Sequence, residues 1–336
     1  MMTKRRRPFS ILIFASPFLI LLLSLYFGPW HIPPLDVFKA LLSPVFPSLR
    51  EGLPEGYLAA VFSIRLPRLL LAFVAGAALS VSGASLQALF KNPLVNEYIL
   101  GTSSGAAFGA ALSMVFFGKH IPPQISAFVF AILAVTTVLF FARKSESPIV
   151  TLLLTGVIVS AFFSALLALT EFFASPYALQ GLFYWLMGNL SKPGWGDLAV
   201  SVPLMSIGIV GLILMRWRMN VLSLSDEEAK SLGVNLRREK LLIVLLTTLI
   251  TSAATAVAGI IGWIGLVVPH LVRMAGGADN RKVIPLSAAL GASFLILADD
   301  LARSLASFEV PVGIFTSLIG IPFFIFLLRK SKRVWQ

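Results

Sequence analysis

Long uncharged apolar runs alternate with short polar segments along this chain, the pattern expected when lipid rather than water is the solvent. Runs near residues 9–29, 69–90, 98–117, 123–142, 149–170, 197–215, 283–298 and 311–328 each approach the about 20 residues that a helix needs to cross a hydrocarbon core of about 30 Å. Two stretches read ambiguously. Residues 172–191 are apolar but interrupted by Pro176, Gly181 and Gly188, while residues 241–272 carry no Asp, Glu, Lys or Arg and are too long for one crossing.

Basic residues decide between the readings, because lysine and arginine collect on the cytoplasmic side of membrane proteins. If 172–191 does not cross and 241–272 crosses twice, turning near Gly259 and Gly262, there are ten crossings and both termini are cytoplasmic. Of the 27 basic residues, only Lys39, Arg50, Arg65, Arg68, Lys119, Lys192 and Arg303 then fall outside. A single crossing over 241–272 would move Arg329, Lys330, Lys332 and Arg333 to the outer face. Lys4 to Arg7 precede the first apolar run, which exceeds the 7–15 residues of a cleavable signal core and is read as the first transmembrane helix.

Composition supports lipid as the solvent: 57% of residues are apolar and 12% charged, with a mean hydropathy of +0.91, which leaves too little polar surface for a soluble globule. The expected fold is therefore all-α, one tightly packed transmembrane bundle over residues 1–336. The net charge of +12 follows from short basic clusters between apolar runs, and nucleic acid is not expected as a partner. Cysteine is absent, which removes thiolate chemistry. His31, His120 and His270 lie far apart and form no metal-ligand motif. No phosphate-binding Gly-x-x-x-x-Gly-Lys-Ser/Thr string occurs, so any ATP and Mg²⁺ belong to another subunit. No catalytic constellation is found. The acids Glu171, Asp197, Asp299 and Asp300, with Arg303, fall near outer helix ends, and Asp299 stands four residues before Arg303, the spacing of an ion pair. Nearly uncharged midplanes argue against a proton relay or an ion-coupled carrier.

Small residues four apart mark helix contacts in lipid. Ala72, Gly76, Ser80, Ala84 and Ala88 form one such stripe, and Gly101, Gly105, Gly109 and Ser113 another. The cytoplasmic loop VLSLSDEEAKSLGVNLRREK carries a capping box of Ser225 with Glu228, acids at the first turn, and Gly233 as a left-handed stop. It predicts a helix from Asp226 to about Leu232, too short to stand alone. Ala229 and Leu232 would either pack back on the chain's own helix ends or seat in a groove on a cytoplasmic partner.

The stretch RLPRLLLAFVAGAALSVSGASLQALFKNPLVNEYILGTSSGAAFGA from Arg65 closely resembles the FecCD-type permeases of binding-protein-dependent ABC importers, which carry iron-siderophore, haem or cobalamin. EEAKSLGV from Glu227, GWIGLVVPHLVRMAGGADNRKVIP from Gly262 and EVPVGIFTSLIGIPFFIFLLRK from Glu309 agree in order, so the resemblance runs from Arg65 to Lys330. It implies ten helices per subunit, a type II importer homodimer, two cytoplasmic ATP-binding subunits and an external solute-binding protein, in a prokaryotic inner membrane. Arg65, Arg68 and Arg303 match the basic residues that receive the binding protein. Glu227, Glu228, Ala229, Leu232 and Gly233, entered through Ser225, match the element that couples to the ATPase. The fifth and tenth helices would line the path with Thr155, Ser160, Ser164, Gly313 and Thr316, and Ser147 to Thr151 would form part of the inner gate, where Pro148 departs from the family's hydroxyl-rich pattern. No cofactor is implied for the chain itself. The competing expectations are an importer for an oxyanion, an autonomous secondary transporter or channel, and a membrane-embedded enzyme.

Overall fold

A computed structural model describes residues 7–28, 30–118, 120–143, 148–305 and 309–331, and every regular element among them is helical. In chain order these are α1 (Arg7–Ser24), α2 (Pro34–Leu42), α3 (Tyr57–Phe90), α4 (Thr102–Phe117), α5 (Pro123–Ala142), α6 (Pro148–Phe172), α7 (Pro176–Leu186), α8 (Trp195–Leu214), α9 (Arg216–Leu222), α10 (Asp226–Ser231), α11 (Leu236–Ala258), α12 (Ile264–Gly276), α13 (Asn280–Ser304) and α14 (Val312–Ser331). Among the described residues, six helical stretches are long and apolar enough to cross a membrane: α3, α5, α6, the continuous stretch of α8 and α9, α11 and α13. Four shorter apolar helices lie within α1, α4, α12 and α14.

Helix α3 is the axis of the bundle, enclosed by α13, α11, α12 and α8. Its small-residue stripe explains why. A Cβ on Gly76 would overlap the carbonyl of Gly291 in α13, and one on Gly83 would overlap that of Gly265 in α12. Missing side chains let backbones touch, and in lipid that contact is a main source of helix association. The second stripe works in the same way, with Gly105 against the Phe130 carbonyl and Gly109 against that of Ser126, both in α5.

The long apolar stretch 241–272 is divided as expected. Helix α11 stops at Gly259 (φ 71°), and α12 starts after Trp263 (φ 73°). The ambiguous stretch 172–191 leaves α6 at Phe172 and re-enters a helix at α7, which Ser175 caps by accepting from the Ala178 N–H at 3.3 Å. One expected helix is shorter than its apolar run. The crossing read over 98–117 begins only at Thr102, and residues 91–101 form an irregular segment that folds back into the bundle.

Candidate functional site

The end of the bundle at which α3 begins and α13 finishes holds a knot of charge. Arg68, near the start of the regular part of α3, donates from Nε to both Asp299 oxygens at 3.0 Å, and its Nη2 lies 2.9 Å from Asp299 Oδ1. Its Nη1 reaches Glu309 Oε1 at 2.7 Å. Arg303 approaches Asp299 from the other side, Nε to Oδ2 at 3.7 Å, pairs with Asp300 and donates to the Ser24 carbonyl at 2.6 Å. Arg65 donates to the carbonyls of Leu25, at 2.6 Å, and Trp30. Asp299 is fully buried, and Arg65, Arg68 and Arg303 are 5%, 6% and 4% exposed.

Three chain segments are thereby tied to α3: the end of α1, the end of α13 and the turn leading into α14. Asp299 and Arg303 do form the expected pair four residues apart. The side chains of Arg65, Arg68 and Arg303, expected to receive a binding protein, are engaged in bonds within the chain. Glu309 is the member of the knot most open to solvent, with its side chain 44% exposed. Burial raises its carboxyl pKa, but the Arg68 charge and a Ser191 hydrogen bond outweigh that and hold it below the usual carboxylate range.

At the opposite end α10 spans Asp226–Ser231, one residue shorter than expected, with Leu232 as its C-cap. The capping box is complete. Ser225 Oγ accepts from the Glu228 N–H at 3.3 Å, and Glu228 Oε2 accepts from the Ser225 N–H at 3.0 Å and from its hydroxyl at 2.8 Å. These bonds lower the Glu228 pKa. Gly233 takes φ 75°, and its N–H donates to the Lys230 carbonyl at 2.9 Å. Ala229 is fully buried against the chain, whereas Leu232 stays 57% exposed. So the short helix both packs back through Ala229 and presents an apolar tip. Leu232 and Gly233 border a groove of about 540 Å³ with Trp217, Arg218, Arg238 and Glu239.

The residues expected along a path divide into two groups. Helix α6 packs on α4 and α5, and α14 on α13 and α12. On α6, Ser164 is exposed, while Thr151, Thr155 and Ser160 are half-buried; Ser160 Oγ lies 3.3 Å from where a Cβ on Gly101 would sit. Gly313 packs against the carbonyls of Met187 and Ile260, and its N–H donates to Met187 at 3.0 Å. Thr316 is fully buried and bonds the Gly313 carbonyl at 3.0 Å. Gly313, half-buried, and Thr316 therefore fix the start of α14. Ser147 lies outside the described residues.

Sequence reasoning missed Glu97. It is 1% exposed, and among the described residues no side chain donates to its carboxylate. Its Oε2 overlaps the position a Cβ on Gly265 would take, in the first turn of α12, where the helix start favours an acidic group. Gly265 in turn lies against Leu79 and Gly83 of α3, about 10–16 Å inside the Phe90 end at 1.5 Å per residue. The segment 91–101 carries this acid into the bundle. Tyr98 beside it donates to the Ile261 carbonyl at 3.2 Å, so two breaks in helical structure meet there. The only available signal was an acid directly ahead of an apolar run, which reads as an ordinary loop residue.

Residues 16–330 match the FecCD transport family. A probable iron chelatin transport system permease protein of Helicobacter pylori is 42% identical over 274 residues, 82% of this chain and 83% of that protein. A molybdate import system permease protein of Haemophilus influenzae is 38% identical over 278 residues, 81% and 82% of the two chains. A solved inward-facing conformation of a metal-chelate type ABC transporter superposes with a TM-score of 0.85 at 32% identity, covering 96% of this chain and 99% of that one.

Proposed function

The chain belongs to the FecCD transport family, and from that membership we propose that it is the membrane-spanning permease subunit of a type II ABC importer that carries a metal chelate of the iron-siderophore, haem or cobalamin kind into a prokaryotic cell. The observation that carries this reading is the agreement of nearly the whole helical chain with a metal-chelate transporter. Six long apolar spans and four shorter ones, with the basic residues sorted as above, support ten crossings and two cytoplasmic termini. The similarity to a molybdate permease favours one alternative substrate, a metal oxyanion.

The permease works as a homodimer with two ATP-binding subunits below it and a solute-binding protein above it. The chain supplies the path and binds no cofactor. Its α10 segment seats on the ATPase: the capping box holds the backbone of Ser225 to Glu228, Glu227 and Leu232 are open to a partner, and Gly233 allows the sharp exit. When the ATPases close, α10 transmits the movement to α11 behind it. The open side of α6, with Ser164 exposed and Thr151, Thr155 and Ser160 beside it, then forms one wall of the path. Few polar groups line that wall, so recognition rests with the binding protein.

Docking at the outer end acts through the knot. An acidic side chain of the binding protein competes with Glu309 for Arg68, which loosens the turn into α14 and makes the tilt of that helix depend on the docked partner.

The test is uptake into liposomes holding the chain with its copurified ATPase and loaded binding protein. Glu228→Lys or Gly233→Val should leave ATP hydrolysis running while uptake falls at least about tenfold. Normal uptake in both variants contradicts the coupling role, and uptake without any ATPase contradicts the reading as a whole.

A further inference from the structure

The irregular segment 91–101 makes contacts at both of its ends that neither the path nor the coupling helix explains. At its start Lys91 closes α3 in a left-handed turn (φ 51°), and its Nζ donates to the carbonyl of Leu224, the residue before the Ser225 cap of α10. At its far end it lies against α6: the Ile99 carbonyl occupies the space that a Cβ on Gly156 would need, and Gly101 lies beside Ser160. Between these ends the segment is not slack. Asn92 Oδ1 accepts from the Leu94 N–H at 2.9 Å, Gln87 Nε2 donates to the Val95 carbonyl at 3.0 Å, and Asn96 Oδ1 accepts from the Tyr98 N–H at 3.3 Å. Side chains supply bonds that a helix would make with its own backbone, so the segment holds its shape without being helical.

Tyr98 reaches from this segment to the break between α11 and α12. Its hydroxyl donates to the Ile261 carbonyl and accepts from the Ile261 N–H, both at 3.2 Å, so one side chain satisfies both backbone groups of a fully buried residue. Leaving either group unpaired in an apolar interior would be costly. The break in turn carries α14. Its Ile260 carbonyl packs against Gly313, and Trp263 fills the space that a Cβ on Gly320 would need; these glycines stand about two turns apart on one face of α14. Trp263 holds φ 73°, a left-handed backbone that a bulky residue seldom adopts, so this seat depends on neighbours that keep it in place.

We propose that Tyr98 is a positioning residue for transport: it sets the seat of α14, and through Lys91 the same segment makes that seat follow the movement of α10. The proposal rests on the reading of α10 as the ATPase contact. One stiff segment then reaches two helices, α6 through Ile99 and Gly101 and α14 through Tyr98. Removing the Tyr98 hydroxyl frees α14 and leaves α6 attached.

The experiment places a single thiol at Leu318→Cys on α14 or Ile158→Cys on α6, both exposed positions, and labels it with bimane in the complex with the ATPase in lipid nanodiscs. Addition of ATP and vanadate should shift the emission at both positions. Tyr98→Phe should abolish the shift at Leu318→Cys and keep that at Ile158→Cys. Uptake into liposomes should fall about fivefold in that variant, the weight of one buried hydrogen bond, while ATP hydrolysis continues. Lys91 is exposed, so Lys91→Met keeps the test decisive if Tyr98→Phe is not monodisperse; it should abolish both shifts. Glu228→Lys separates the two claims. If it leaves both shifts intact, α10 is not the input, and the coupling reading falls together with the linkage. If it abolishes them while Lys91→Met leaves them intact, the coupling reading stands and the linkage through residues 91–101 is overturned. A Leu318→Cys shift that persists in Tyr98→Phe, or an Ile158→Cys shift lost along with it, overturns the role of Tyr98.

Discussion

Helices α3 and α6 are both long and apolar, yet they occupy opposite positions in the chain. From Leu69 to Leu89, α3 is enclosed at almost every residue, while α6 leaves Leu154, Val157, Ile158 and Phe162 59–68% exposed. Hydrophobicity cannot account for the difference, because lipid tails are as apolar as either helix. Side-chain size can. The glycines and alanines of α3 let four neighbouring backbones approach, whereas the bulky residues of α6 hold neighbours off that face. An apolar face that its own chain leaves open meets lipid or a second copy, and the proposed homodimer assigns it to the second copy.

The charged anchor of α3 at Asp299 should give the largest response. Asp299→Ala leaves Arg68 and Arg303 buried beside a missing charge, at an expected cost of about 3–5 kcal/mol, read as a loss of monodisperse protein or a fall in Tm. Glu309→Gln removes a pair that is half open to solvent and should cost about 1 kcal/mol or less. The pair also makes a pH prediction. The Glu309 carboxyl is depressed in the folded chain, so its contribution is fully present above the unfolded value of about 4.3 and is lost as pH falls through the lower folded value. Wild type should therefore lose more Tm between pH 6 and pH 3 than Glu309→Gln does; equal losses would remove the pair from the account.

Packing falls between those two in size. Gly83→Val drives a side chain into the Gly265 backbone and should destabilise by about 1–3 kcal/mol or more. Val157→Asn on α6 should leave the Tm of the single chain nearly unchanged, but weaken its association about tenfold by placing an amide in an apolar interface. Association can be followed by mass photometry across a concentration series. A Tm loss at Val157 as large as that at Gly83 would erase the contrast between the two helices.

Much of this arrangement is legible in the sequence because the lipid constraint is strong. Every backbone group needs an internal partner there, so charge-free runs become helices. Small residues four apart do mark the contacts of α3 with α13 and of α4 with α5. The capping box at Ser225 and Glu228 is local chemistry and forms as read. Long-range pairing was harder to read. Arg68 finds Glu309 far along the chain, and no local pattern states that arginines at a helix end turn inward. Glu97 was hidden for the same reason, since only the folded chain brings residues 91–101 against the start of α12. Gly313 carries a path role by resemblance, and its packing against the Met187 and Ile260 carbonyls is visible only in the folded chain.

The central claim, that the open face of α6 lies against its counterpart across a path shared by two copies, can be tested directly because the chain contains no cysteine. With Ile158→Cys as the sole thiol, mild oxidation in native membranes should yield a covalent dimer in high proportion, sensitive to reductant and to the presence of the ATPase partner. A chain that remains monomeric under those conditions, while a cysteine at Leu19 on the exposed face of α1 cross-links instead, would contradict it.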